Sequence, residues 1–328
     1  MLKYENQGSG LPGRRRLLRW AGLGALAATS LPALASCSQG ALIERLNVAG
    51  GESGGMYFEF ANLLATALVR YGIAAHSEAL LTEASVENLE LLENGQAGLS
   101  LALADTVAQR ELSADSSLVA LGRVYQNYYH CIVRRDSQIR TLADLSDQRL
   151  GTGAPGSGTW VTGQRILSAA GLESEGTKPR ERQLGYVAGL KALEAGEIDA
   201  LLLFGGIPVS SITELGLKME LRLINLAGVL PALRTEHPRL YEHVIIPRNT
   251  YPGVAEVNTV GVANLLMTSA GLPDRVAAAV VELLVNHARE LIPRNSAGIQ
   301  YLTPDTLIST GGQPLHPAAA ATYRRLHG

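Results

Sequence analysis

Two periods of apolar and polar positions alternate along this chain. MYFEFANLLATALVRYG (56–72) carries apolar residues at helical spacing and stops at Gly72, which predicts an amphipathic helix. SVENLELLENG (85–95) repeats that spacing and again ends at glycine, with Ser85 placed as its N-cap. Between such segments lie strand-like runs: ERLNVAG (44–50), AGLSLALAD (97–105) and VYQNYYHCIVRRDS (124–137). LADLSDQ (142–148) predicts a short helix, and RLGTGAPGSGTW gives a strand, a glycine loop and a helix over 159–170. LKALEAGEIDALLLFGG (190–206) is a helix running into an apolar strand. Residues 259–292 read as a long strand, a turn and a long helix opened by Pro273-Asp274. This alternation predicts an α/β protein with parallel sheets. No repeat or Ser/Gly/Pro linker interrupts it, so two lobes sharing crossover strands fit better than two independent domains.

The first forty residues follow a different logic. Arg14, Arg15, Arg16 and Arg19 precede an apolar run from Trp20 to Leu34, and LASC (34–37) follows. A charged segment, a short apolar segment and a small-residue cleavage site make an export signal over 1–36. The run is shorter than the ~20 residues a membrane span needs. RRRLLR (14–19) is similar to a twin-arginine export motif, and LASC is similar to a lipobox in which Cys37 becomes the acylated first residue. The competing expectation is cleavage after Ala35, leaving Cys37 as a thiol. Either way the mature chain is expected outside the cytoplasm, anchored through Cys37 in the first case.

Removing 1–36 takes away five Lys/Arg and one Asp/Glu, moving the formal charge from −2 to −6. A mildly acidic protein with 5% aromatic residues is a poor candidate for nucleic-acid binding. With only Cys37 and Cys131 there is no disulfide framework, and Cys131 in YYHCIV reads as strand packing.

Candidate chemistry concentrates in three glycine-rich stretches, at 48–57, at 150–160 and at Phe204-Gly205-Gly206. A strand–glycine–helix turn brings backbone N–H groups together at a helix N-terminus, where they meet an anion. A tight turn without a ligand uses the same glycines, so the loops alone leave both open. A P-loop needs Lys after its last glycine, whereas Thr159 follows Gly158 here. A dinucleotide site needs an acidic residue ending a second strand, and Glu173 and Glu175 lie in a polar stretch instead. No nucleotide or other cofactor is therefore expected. The seven histidines show no metal-ligand spacing, with His237 and His243 read as surface-loop residues, and there is no G-x-S-x-G elbow. No catalytic residue is assigned. Asp105, closing an apolar strand, is expected to cap a helix at a domain edge.

Five blocks carry a family resemblance. They are SVENLELLENGQAGLSLALAD (85–105), VRRDSQIRTLADLSDQRLGTGAPGSGT (133–159), LEAGEIDALLLFGGIP (193–208), RNTYPG (248–253) and LHPAAAATYRR (315–325). In that order they resemble the TAXI-type solute receptors of TRAP transporters, a branch of the type II periplasmic binding proteins. The resemblance implies a two-lobed α/β fold closing on a ligand, with lobe I at 41–133 plus 257–328 and lobe II at 134–256. It implies a small carboxylate ligand of the glutamate, glutamine or 2-oxo acid class, delivered by a monomeric receptor to a TRAP permease. By motif match it assigns ligand contacts to Ser53, Gly54 and Tyr57, to Ser85 and Asn88, to Gly156, Ser157, Gly158 and Thr159, and to Gly206. An ABC-importer or sensor-kinase receptor is the alternative on the same fold, and an exported enzyme is a more distant one.

The chain also departs from the family pattern. Glu52 and Ser53 stand where Gly and Thr are usual, and Leu103-Ala104 replace a polar pair before Asp105. Glu52 would repel an anionic ligand or pair with a ligand amine. Trp160 is placed either over the ligand or in the core.

Overall fold

The structure, a computed structural model, describes residues 41–111, 117–294 and 296–327, so the export segment and Cys37 lie outside the described residues. The first elements are β1 (Ile43–Arg45), β2 (Val48–Ala49), α1 (Met56–Arg70), β3 (Ala74–His76), β4 (Ala79–Leu80), α2 (Ser85–Glu93), β5 (Leu99–Leu103) and α3 (Ala104–Glu111). A long strand, β6 (Leu118–Arg134), leads to β7 (Arg149–Gly151), α4 (Gly158–Ala169), β8 (Arg180–Arg182), α5 (Tyr186–Glu194) and β9 (Ala200–Gly205). Then come α6 (Ser210–Lys218), β10 (Leu221–Leu223), α7 (Leu230–Glu236) and β11 (Tyr241–Ile246). A second long strand, β12 (Val257–Ser269), returns the chain to α8 (Asp274–Asn286), α9 (Pro304–Leu307) and α10 (Pro317–His327).

The periodic segments fold as their patterns require. α1 buries Phe60, Leu64 and Leu68, four apart, and its end is followed by Gly72 at φ 66°. α8 buries Val276, Val280 and Leu284 in the same way. β5 is buried at all five positions because β2 and β12 flank it and helices cover it.

The main sheet runs β4-β2-β5-β12-β6-β9-β7-β8, with β10 beside β6 and β11 beside β12. Its outer strands are parallel, as the βαβ pattern predicts: β2 with β4 and β5, and β7 with β8 and β9. Its centre is not. β6 pairs antiparallel with both β12 and β9, and β12 antiparallel with β5. Two strands that carry the chain from one set of parallel strands to the other must run through the sheet in opposed directions. The expectation of parallel sheets is corrected on that point, while the α/β class and the two crossover strands stand.

Three apolar clusters follow this plan. One packs α1, α8 and α10 beside β5, through Phe60, Leu64, Leu101, Val280 and Tyr323. Another packs α5 and α6 beside β9, through Leu193, Leu203 and Ile212. The third runs across β6 from α2 and α3 to α4 and α7, through Leu89, Val107, Tyr129, Ile166 and Leu233. Cys131 is buried in β6, where burial pushes its thiol up to about 12.

Two capping expectations are corrected. Ser85 is the first residue of α2 and not its cap; Ala84 precedes it. Asp105 lies inside α3, fully buried, and its Oδ2 accepts hydrogen bonds from Thr162 (2.6 Å) and the Tyr241 hydroxyl (2.9 Å), with Arg165 at 3.5 Å. It ties α3 to α4 and β11 rather than ending a helix. His243 sits in β11, not in a loop, facing Asn258 at 2.9 Å.

Candidate functional site

Four helices begin around one cavity of about 80 Å³. α1 follows Gly55 with no side-chain cap, and its first helical bond is Glu59 N–H to Gly55 O, so the amides of Met56, Tyr57 and Phe58 have no helical partner. α2 follows Ala84, also without a side-chain cap, and Asn88 N–H makes its first helical bond. Ala84 holds φ 82°, ψ −143°, a region that ordinarily needs glycine and costs on the order of 1–3 kcal/mol. That strained residue forms part of the cavity wall.

α4 is capped by Ser157, whose Oγ accepts from Trp160 N–H at 3.2 Å. The amides of Gly158 and Thr159 stay open to the cavity, since the first helical bond is Val161 N–H to Ser157 O. Gly153, at φ 91°, makes this turn possible: a Cβ there would lie 2.7 Å from Ser157 Oγ and 2.9 Å from Thr159 Cβ. Ser157→Ala is expected to lower stability by about 1 kcal/mol through loss of the cap, read by urea denaturation at unchanged m.

The fourth helix is already capped. Glu52, from the loop before α1, reaches across the cavity and its Oε1 accepts from Tyr186 N–H at the start of α5 (2.9 Å). Burial pushes the Glu52 carboxyl up; the Tyr186 amide opposes that shift and the charge of Glu83 adds to it. Glu52 and Glu83 are the charged side chains in the lining. Between them and the helix starts, Tyr57 and Ser85 face each other, hydroxyl to hydroxyl at 3.2 Å, and Ser85 Oγ accepts from Leu103 N–H. Burial raises the Tyr57 hydroxyl well above its ordinary value.

The sequence-derived contacts divide into two groups. Tyr57, Ser85, Ser157, Gly158 and Thr159 come together in the lining. Ser53 and Gly54 are exposed on the first loop, outside it. Asn88 is fully buried, but its amide donates to Gly50 O and Leu101 O while its carbonyl accepts from Thr82, so its side chain braces β2, β5 and α2. Gly156 lies in a separate groove with Trp160, beside Val86 and Leu89. Gly206 lets β9 end close to α1, because a Cβ there would come within 2.8 Å of Met56. Sequence reasoning placed Gly51 and Phe204 in glycine-rich stretches without assigning them as contacts, and did not single out Ala84, Leu184 or Tyr186, all in the lining. Only the second and third glycine stretches hinted at 184–205 through proximity. Among the described residues no group of three His, Cys, Asp or Glu side chains is placed to hold a metal.

Open amides at three helix starts turn the positive ends of those helices toward the cavity, while its charged side chains, Glu52 and Glu83, carry the opposite sign. Against known proteins, the chain is similar to the alkanesulfonate-binding protein SsuA from Xanthomonas axonopodis pv. citri bound to MOPS (17% identity over 88% of this chain and 85% of that one, TM-score 0.47). It is similar to the periplasmic aliphatic sulphonate binding protein SsuA from Escherichia coli (17%, 86% and 83%, TM-score 0.44). It also resembles the substrate binding protein of an amino acid ABC transporter (15%, 76% and 95%, TM-score 0.45). The NMT1-like family model matches residues 48–325, most of the chain, and the chain belongs to that family.

Proposed function

We propose that this member of the NMT1-like family is an extracytoplasmic solute receptor that holds a small carboxylate at the starts of α1, α2 and α4. One observation carries the reading: the unpartnered first-turn amides of three helices converge on a single cavity. Charge-assisted hydrogen bonds contribute roughly 1.5–3 kcal/mol each. Four or five therefore suffice for a micromolar ligand, about −8 kcal/mol, after ordering costs. The lobes are taken as 41–133 with 257–328 and 134–256, closing over the ligand. Delivery to a TRAP-type permease rests on the resemblance of the sequence blocks, as does attachment through Cys37. The cavity wall offers amides and hydroxyls and no nucleophile–base pair, which favours binding over catalysis.

The test is a thermal-shift panel of monocarboxylates, dicarboxylates, 2-oxo acids and amino acids, with NAD and ATP as controls, on protein beginning at Ser38. A carboxylate at 100 times its Kd is expected to add about 2.7 kcal/mol. That corresponds to several degrees at roughly 2–4 °C per kcal/mol. A shift with a nucleotide alone would overturn the reading.

A further inference from the structure

Beneath the helix starts lies a group of polar side chains that no bond explains. In β6, Tyr125, Asn127 and Tyr129 alternate onto one face of the sheet. Tyr125 meets the Tyr57 ring edge-on, centroids 6.2 Å apart, and Tyr129 donates its hydroxyl to Thr159 O at 2.9 Å. Asn127 therefore sits between the start of α1 and the start of α4, next to the Tyr57 hydroxyl that lines the cavity. In β12, Asn264 stands opposite Tyr125 on one side and opposite Leu103, another lining residue, on the other. Asn127 and Asn264 are both fully buried, and neither the carbonyl nor the amide of either side chain makes a hydrogen bond of ordinary geometry. Asn127 neighbours the Tyr57 hydroxyl and Asn264 the Tyr125 hydroxyl, and neither these amides nor the Tyr125 hydroxyl completes a bond of ordinary geometry. Buried amides are ordinarily satisfied, so two left open one layer behind the lining residues Tyr57 and Leu103 mark groups that a ligand pressing into the cavity would engage.

We infer that Asn127 and Asn264 form the floor that reads the uncharged end of the ligand, a group that both donates and accepts hydrogen bonds, such as a hydroxyl or a carboxamide. This rests on the cavity being the carboxylate site. A second carboxylate is disfavoured there: the floor carries no positive charge, the buried Asp105 acts on both Tyr57 and Tyr129, and the charged side chains of the lining are Glu52 and Glu83. The ligand class is thus a compact monocarboxylate with a hydroxyl or carboxamide at its far end.

Four acids of one chain length separate the possibilities by calorimetry: butyrate, 4-hydroxybutyrate, succinamate and succinate. Wild-type protein is expected to bind the hydroxy acid or the amide acid at least tenfold more tightly than butyrate and succinate. In Asn127→Leu and Asn264→Leu that preference shrinks to threefold or less while butyrate still binds. The melting temperature does not fall, because an apolar isostere removes an unpaired group. Asn127→Ala, which adds no bulk, repeats the test if leucine does not fit. Equal binding of all four acids, a preference for succinate, or variants that melt lower yet keep the preference would each overturn the floor and leave the carboxylate site standing. If no acid binds but butyramide raises the wild-type melting temperature and not that of the leucine variants, the carboxylate site falls and the floor stands. No binding of any probe removes both.

Discussion

Gly158→Val is expected to abolish the ligand-dependent rise in melting temperature. A Cβ at Gly158 would lie 2.6 Å from Leu103 Cδ1 and 2.9 Å from Ser85 Oγ, inside any comfortable contact. Valine adds two further methyls at the spot where α4, the start of α2 and the end of β5 meet. The branched side chain would also screen the Gly158 and Thr159 amides from the cavity. A loss of at least a hundredfold in affinity is expected, about 2.7 kcal/mol. Overpacking alone typically costs about 1–3 kcal/mol of stability. The unliganded protein should therefore still fold, with a melting temperature lower by several degrees. Gly228→Val is the control, since a Cβ there meets nothing within 4 Å. Retention of wild-type affinity in Gly158→Val would place the ligand elsewhere.

The second large effect concerns acid stability. His130 is buried in β6, with Nδ1 facing Tyr128 O at 2.9 Å and Nε2 facing the Tyr251 hydroxyl at 2.8 Å. A carbonyl only accepts, so Nδ1 carries the proton and Nε2 accepts from Tyr251, whose oxygen in turn accepts from Val209 N–H. Burial lowers the imidazole to about 4, outweighing the Tyr128 carbonyl that favours the charged ring. The unfolded chain binds a proton at about 6.5 that the folded protein refuses, so stability is complete above that pH and declines as the pH falls towards 4. The expected loss is about 3 kcal/mol across that window, since each tenfold rise in proton concentration costs about 1.4 kcal/mol. Denaturant midpoints for wild type and His130→Phe at pH 7, 5.5 and 4 check it. The variant starts lower, having orphaned Tyr128 O and the Tyr251 hydroxyl, but its slope between pH 6.5 and 4 is flatter. Parallel slopes would show that His130 titrates normally.

Much of this architecture is visible in local pattern, and what is hidden is hidden for a physical reason. The helices at 56, 85 and 158 announce themselves because each keeps one period and is followed by a glycine, and the buried strand at 99 because it is a nearly unbroken apolar run. α3 is foreseen only through Asp105 as a cap, and its start is misplaced, because ADTVAQRE carries few apolar residues and begins inside what reads as a strand. Motif matching finds the helix starts and therefore Tyr57, Ser85 and Ser157 to Thr159. It also nominates Asn88, whose local position resembles that of its helix neighbours but whose amide is consumed by Gly50 O and Leu101 O. Asn127 and Asn264 are invisible by the same route. Which face they occupy depends on how β6 registers with β12, a pairing the local sequence does not encode. The Glu52–Tyr186 bond joins residues 134 positions apart, so spacing could suggest a ligand amine for Glu52 but not a helix start on the far wall.

The antiparallel centre of the sheet has a bearing on how the chain reaches its native state. Gly261 pairs with Tyr128 and Ser269 with Leu118, so β12 fills the gap between β5 and β6 only after nearly all of the chain exists. Until then both strands present open edges and their apolar faces lack a partner. Contacts this distant in sequence make folding slow, since loop closure must precede any gain from pairing. A chain truncated before Val257 should therefore not collapse to half a native protein but remain prone to aggregation, and a ribosome-bound chain should stay open until its last quarter emerges.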